Sequence, residues 1–163
     1  MRPLASFGIT ALLLSTSAGS LASQQRSSPL DGAWRHLRTE FVTPDSTYHR
    51  PAMPGLIIYA GRHYSQFWVQ PARSGVQQAS QPTTAEEKAA RYDVLSANAG
   101  TVELRDSTIT FRVEHAKNPR VAGTTLVGTY HLKGDTLRYV FVDPWQKDST
   151  KTVRRTVTNV REP

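Results

Sequence analysis

"LVGTYHLKGDTLRYVF" (residues 126–141) is the stretch that decides the fold. Leu126, Gly128, Tyr130 and Leu132 alternate with mostly polar neighbours, and beyond Lys133, Gly134 and Asp135 the alternation resumes through Leu137, Tyr139 and Phe141. A period of two puts each set on one face of a strand. Gly134 supplies the positive φ that a tight hairpin turn requires. The segment therefore reads as two antiparallel strands with a common apolar face, and that face is the expected interior.

The same grammar extends in both directions. In "STITFRVEHA" (107–116) Ile109, Phe111 and Val113 point to one side while Thr108, Thr110, Arg112 and Glu114 point to the other. "VELRDSTITF" (102–111) is a second hairpin, turning at Arg105, Asp106 and Ser107. Runs of β-branched and aromatic residues between Gly, Pro, Asn and Asp mark strands near 32–42, 55–60, 63–70, 99–105, 108–116, 124–133, 136–142 and 151–161. Eight short strands in one domain suit an all-β, antiparallel up-and-down barrel, because closure removes the exposed edges that invite aggregation. One short helix interrupts them in "PTTAEEKAARYDVLSAN" (82–98), with Thr84 as N-cap, Glu87 completing a capping box, and Ala89, Tyr92 and Leu95 as an apolar stripe for the sheet or a barrel mouth. The preceding "PARSGVQQASQP" reads, with Thr83, as a polar loop over 71–83, either a lid or simply mobile.

The first 22 residues stand apart. Arg2, an apolar run from Leu4 to Leu14 and small residues at Ser20 and Ala22 have the pattern of a cleaved secretory signal. The run is too short and too often interrupted for a bilayer span, which takes about 20 apolar residues, although an uncleaved anchor is the competing reading. Residues 23–29 form a polar lead-in, and 30–163 the barrel domain. The implied compartment is secreted or periplasmic. With no cysteine in the chain, an exported domain depends on packing and sheet closure and has no thiol chemistry.

The formal net charge of +7 falls by one with the loss of Arg2. It is spread along the chain, with "KTVRR" (151–155) as the one local cluster, so it implies a solvated basic surface before a specific partner. Nucleic acid is not expected, since no basic-aromatic module accompanies the charge. No G-x-S-x-G, no phosphate-binding Gly loop and no convincing Ser/His/Asp set occurs. The five histidines lack metal-ligand spacing, so neither a metal nor another cofactor is expected.

Gly32 and Trp34 in "LDGAWRHL" (30–37) fit the closed end of a barrel. A flat side chain plugs the taper, and an adjacent Gly lets the backbone bend. Arg155 or Arg161 of the last strand is placed to stack over the indole. If Trp34 points inward, period two also turns His36, Arg38 and Glu40 inward; the opposite parity buries Ala33, Leu37 and Phe41, and a bulge would reconcile the two. The aromatic candidates for an interior cavity are Tyr64 or Phe67, Trp68, Phe111, Tyr130, Tyr139 and Phe141, with His36 beside them.

Taken together, "LDGAWRHL", "PGLIIYAGRHYSQFWVQPAR" (54–73) with its "IYAGRHYS" core, "TAEEKAARY" (84–92), "AGTVEL" (99–104) and "VEHAKNPRVAGTTLVGTYHLKGDTL" (113–137) resemble the bacterial lipocalin-like domain family of calycin-type barrels. The resemblance implies an antiparallel barrel whose interior holds a small molecule, and no settled reaction. The Thr-Asp-Tyr signature and the disulfide of the better known lipocalins are missing here. Three functions stay open at this point: binding of a small, mainly apolar or amphipathic molecule; an isomerase- or cyclase-type enzyme using His36, Tyr64 or Glu40; and an envelope interaction protein with a filled barrel and a basic surface.

Overall fold

A computed structural model describes residues 27–70 and 83–163. The expected signal at 1–22, most of the lead-in and the 71–82 part of the expected loop lie outside the described residues. The elements are β1 (Gly32–Val42), β2 (Thr47–Arg50), β3 (Gly55–Ala60), β4 (His63–Val69), α1 (Ala85–Asp93), β5 (Leu95–Arg105), β6 (Thr108–Ala116), β7 (Thr125–Lys133), β8 (Thr136–Trp145) and β9 (Asp148–Arg161).

Apart from β2, each strand pairs antiparallel with the next in the chain, and β9 returns to pair with β1. The result is a closed eight-stranded up-and-down barrel. Two-residue turns join β3 to β4, β5 to β6 and β7 to β8, each with its first residue at positive φ: Gly61, Asp106 and Gly134. Those turns share one end with Leu30 and Trp34, so this end is tightly laced. The other end carries α1, the 43–54 segment and the 117–124 and 146–147 connections, and is the mouth.

Strand β2 is an addition to the expected set. It pairs with the outer half of β1, from Thr39↔Arg50 to Val42↔Thr47, whereas β3 pairs with the inner end, from Gly32↔Tyr59 to Trp34↔Ile57. Pro51 and Pro54 separate two strands that share one side of β1. Proline removes a ladder donor and fixes φ, which explains the break. Strand β5 also starts earlier than expected, at Leu95 instead of 99, because Leu95–Asn98 pair with Gln66–Val69 of β4. Pairing outweighs the weak strand propensity of "LSAN".

The bulge in β1 settles its parity. Register shifts between His36 and Arg38, so Trp34, His36 and Thr39 are buried while Leu37 is exposed. Neither simple alternation holds: Arg38 and Leu37 both face outward, and Glu40 is not among the buried residues. The helix has the expected capping box, with Glu87 N–H donating to Thr84 Oγ1 at 3.1 Å and Thr84 N–H donating to the Glu87 carboxylate at 3.0 Å. Its expected apolar stripe does not pack: no helical residue is buried and Tyr92 is 55% exposed, with Lys117 Nζ lying 4.1 Å from its ring centre instead.

Candidate functional site

The laced end shows how the barrel is closed. Trp34 is wholly buried, its indole N–H donates to the Leu30 carbonyl at 2.7 Å, and the Arg161 guanidinium lies 4.3 Å above the ring centre. Arg161 also donates to the carbonyls of Asp31 and Pro29. Gly32 takes φ +120°, which L side chains rarely adopt, and leaves room for that guanidinium. Of the two arginines proposed for the stack, Arg161 makes it; Arg155 lies higher, 4.8 Å above the Phe141 ring.

Above the plug lies a layer of polar side chains. His36 is fully buried; its Nδ1 accepts from the Met53 backbone N–H at 3.1 Å, which places the proton on Nε2, facing Thr39 Oγ1 at 2.8 Å. Burial lowers the His36 pKa, consistent with a neutral ring. Both nitrogens are thus committed to holding the 51–54 segment and the β1 bulge. Glu40, the acid proposed beside it, instead meets His49 on the exposed side at 3.7 Å. Tyr59 and Tyr139 share a hydrogen bond through their hydroxyls. Burial pushes the Tyr59 and Tyr139 pKa values up, and Tyr64 up to about 12 by burial and then the Glu114 charge. All three phenols stay protonated near neutrality, so they offer hydrogen bonds and no ready base.

Between this layer and the mouth is a cavity of about 80 Å³. Ile57, Phe111, Leu126, Phe141 and Val157 form its apolar wall together with the rings of Tyr59, Tyr64 and Tyr139, and Gln66, Trp68, Asn98 and Arg155 supply polar groups. Edge-to-face packing of Phe111 on Tyr64 (5.0 Å) and on Tyr139 (5.5 Å) fixes the wall. Gly128 is required here: a Cβ would lie 2.5 Å from the Val140 carbonyl and 2.7 Å from the Phe141 ring. Gly128 thus lets β7 approach Phe141. Asn98 also lines a depression of about 210 Å³ bounded by Gln70, Asp93 and Lys117.

Of the aromatic candidates, Tyr64, Trp68, Phe111, Tyr139 and Phe141 line the cavity. Tyr130 packs against the core beside it, and His36 reaches it only through its ring contact with Trp68 at 5.6 Å. Phe67 is placed differently: it sits on the outer face, 47% exposed, opposite Leu56. The parity of β4 is set by Tyr64, so Phe67 and Tyr64 cannot both point inward. Gln66 and Asn98 carry no signal in the sequence, and Arg155 reads there only as a stacking partner for Trp34, because polar residues on an inward parity look like solvent-facing ones until the strand partners are known.

Among the described residues no group of three or more His, Asp or Glu side chains is arranged to hold a metal ion. No described helix is long and apolar enough to cross a membrane. Comparison with protein-family models, with curated proteins and with solved structures gives no match.

Proposed function

We propose that this chain is an exported, lipocalin-like barrel that binds a small, mainly apolar or amphipathic molecule through its mouth. The cavity carries this reading: an aromatic wall fixed by packing, with polar groups gathered at the mouth end, is the usual composition of a small-molecule site. The N-terminal signal pattern supports export, and the quoted segments of likeness support the lipocalin-like assignment. An enzymatic role for His36 draws little support, since both of its nitrogens hold structural hydrogen bonds.

The size of the space limits the ligand. An apolar cavity of about 150 Å³ accepts a benzene molecule, and this one holds about 80 Å³. It therefore takes a few heavy atoms at depth, with the rest of the ligand in the mouth. The same figure is what favours the rival reading of a filled structural barrel.

Native mass spectrometry of the protein, purified gently from the cells that make it, separates the two. A stoichiometric small-molecule adduct lost on mild activation is the expected result. A bare mass, unchanged after incubation with millimolar toluene, indole or hexanol, would contradict ligand binding and favour the filled barrel.

A further inference from the structure

We propose that the mouth recognises a carboxylate, and that the occupant is a small monocarboxylic acid whose short apolar tail descends among Phe111, Leu126 and Phe141. The inference rests on the cavity-binding reading and assigns its ligand class. Trp68 Nε1, Asn98 Oδ1 and Arg155 Nε are buried without a hydrogen-bond partner, and all three residues line the one cavity. Buried polar side chains rarely go unsatisfied. Three lining one cavity mark a place where a polar group of a ligand belongs.

The character of these atoms selects the group. Two are N–H donors, one of them on a guanidinium, and a guanidinium N–H makes its strongest hydrogen bonds to carboxylate or phosphate. Arg155 meets Asp143 at 3.3 Å, but through Nη2, which leaves Nε buried and without a partner. Among the described residues no Asp or Glu lines the cavity, and the charged side chain that does is Arg155, which keeps its Nε unpaired while Nη2 meets Asp143, so the lining favours an anion over a cation. Trp68 and Arg155 come from different, non-adjacent strands, β4 and β9, and a carboxylate, with two oxygens, has an acceptor for each. Asn98 between β4 and β6 completes the set, with its oxygen for a ligand hydroxyl or, after the amide turns, its nitrogen for the anion.

Volume rules out a phospholipid or a long acyl chain at depth. The space of about 80 Å³ takes a tail of a few carbons, and the wall of edge-to-face rings is not readily enlarged.

Titration of the full chain with hexanoate, hexanol and dodecanoate, followed by protein NMR shifts, tests the assignment. Expected are hexanoate binding about tenfold tighter than hexanol, from the charge-assisted bonds, and dodecanoate binding no tighter than hexanoate. Trp68→Phe, which keeps an aromatic ring and removes the donor, and Arg155→Met each reduce hexanoate affinity severalfold and hexanol affinity by much less, so that the preference for the acid falls. Equal affinities for hexanoate and hexanol, or hexanoate affinity untouched by both variants, would overturn the carboxylate assignment while the cavity reading stands. Much tighter binding of dodecanoate would overturn the size limit. Failure of every probe, hexanol included, would remove the cavity reading and this inference together.

Discussion

His36 shows most directly how one side chain governs this barrel. A neutral imidazole accepts from Met53 N–H and donates toward Thr39, whereas a protonated one would turn a second donor against the Met53 N–H. Because burial lowers its pKa below the ordinary 6.5, the unfolded chain binds the proton more readily than the folded one. The contribution is full above the unfolded value and is lost as pH falls below it. Thermal melts should therefore show the midpoint constant from pH 8 to 7 and falling from about pH 6.5 downward, with the fall reduced in His36→Gln. A flat profile to pH 5 would contradict this role.

The same scale separates inward from outward aromatics. Trp34→Ala removes a wholly buried ring, its hydrogen bond and its guanidinium partner, and should cost about 3–5 kcal/mol in urea unfolding. Phe67→Ala, on the outer face, should cost about 1 kcal/mol or less. The inward direction of Trp34 could be anticipated from a large flat side chain two residues after Gly32 at the head of a first strand, although Gly-x-Trp alone is a weak signal. The assignment of Phe67 was not, since two aromatics three residues apart fit either parity.

At the scale of the elements, local chemistry announced the hairpins and tertiary pairing decided the rest. The turns at Asp106 and Gly134 and the Thr84–Glu87 capping box were readable because each depends on residues adjacent in sequence. Strand β2 was missed: four exposed residues between Pro-containing segments carry no alternation of burial, and only pairing with β1 makes them a strand. The bulge between His36 and Arg38 was foreseen as a possibility, but which residues it would turn inward depended on β9.

A second irregularity, between Ala99 and Gly100 where β5 meets β6, yields an element-level prediction. A Cβ at Gly100 would lie 1.9 Å from the Arg112 carbonyl oxygen, a clash with backbone that no rotamer relieves. Gly100→Ala should lose about 3 kcal/mol or more. Gly134→Ala has open space and pays only for its positive φ, so about 1 kcal/mol is expected. Chemical denaturation of the two variants gives the comparison, and similar losses would argue against the close approach of β5 to β6.

On the scale of the whole molecule, the barrel holds two ends with different tasks. The laced end is closed by Trp34, Arg161 and tight turns, and the mouth collects Trp68, Asn98, Arg155 and the longer connections. Closure needs no disulfide because β9 and β1 pair from Trp34↔Arg161 to Val42↔Arg154, and among the described residues only the short β2, paired with β1 alone, keeps an open edge. The overall architecture could be inferred from hydrophobic alternation together with the turn residues that punctuate it. The amount of free space inside could not, because it depends on ring packing and on Gly128 at distances that no periodicity encodes.

The measurement that bears most directly on interior binding is a set of intermolecular NOEs between hexanol and the methyl-labelled protein. Contacts to Leu126, Val157 and Ile57 methyls, with none to Leu56 or Ile58 on the outer face, are the expected result. Contacts confined to Leu56 and Ile58, or none at saturating hexanol, would mean that the apolar outer surface or nothing at all takes the ligand, and the barrel interior would have to be read as a filled core.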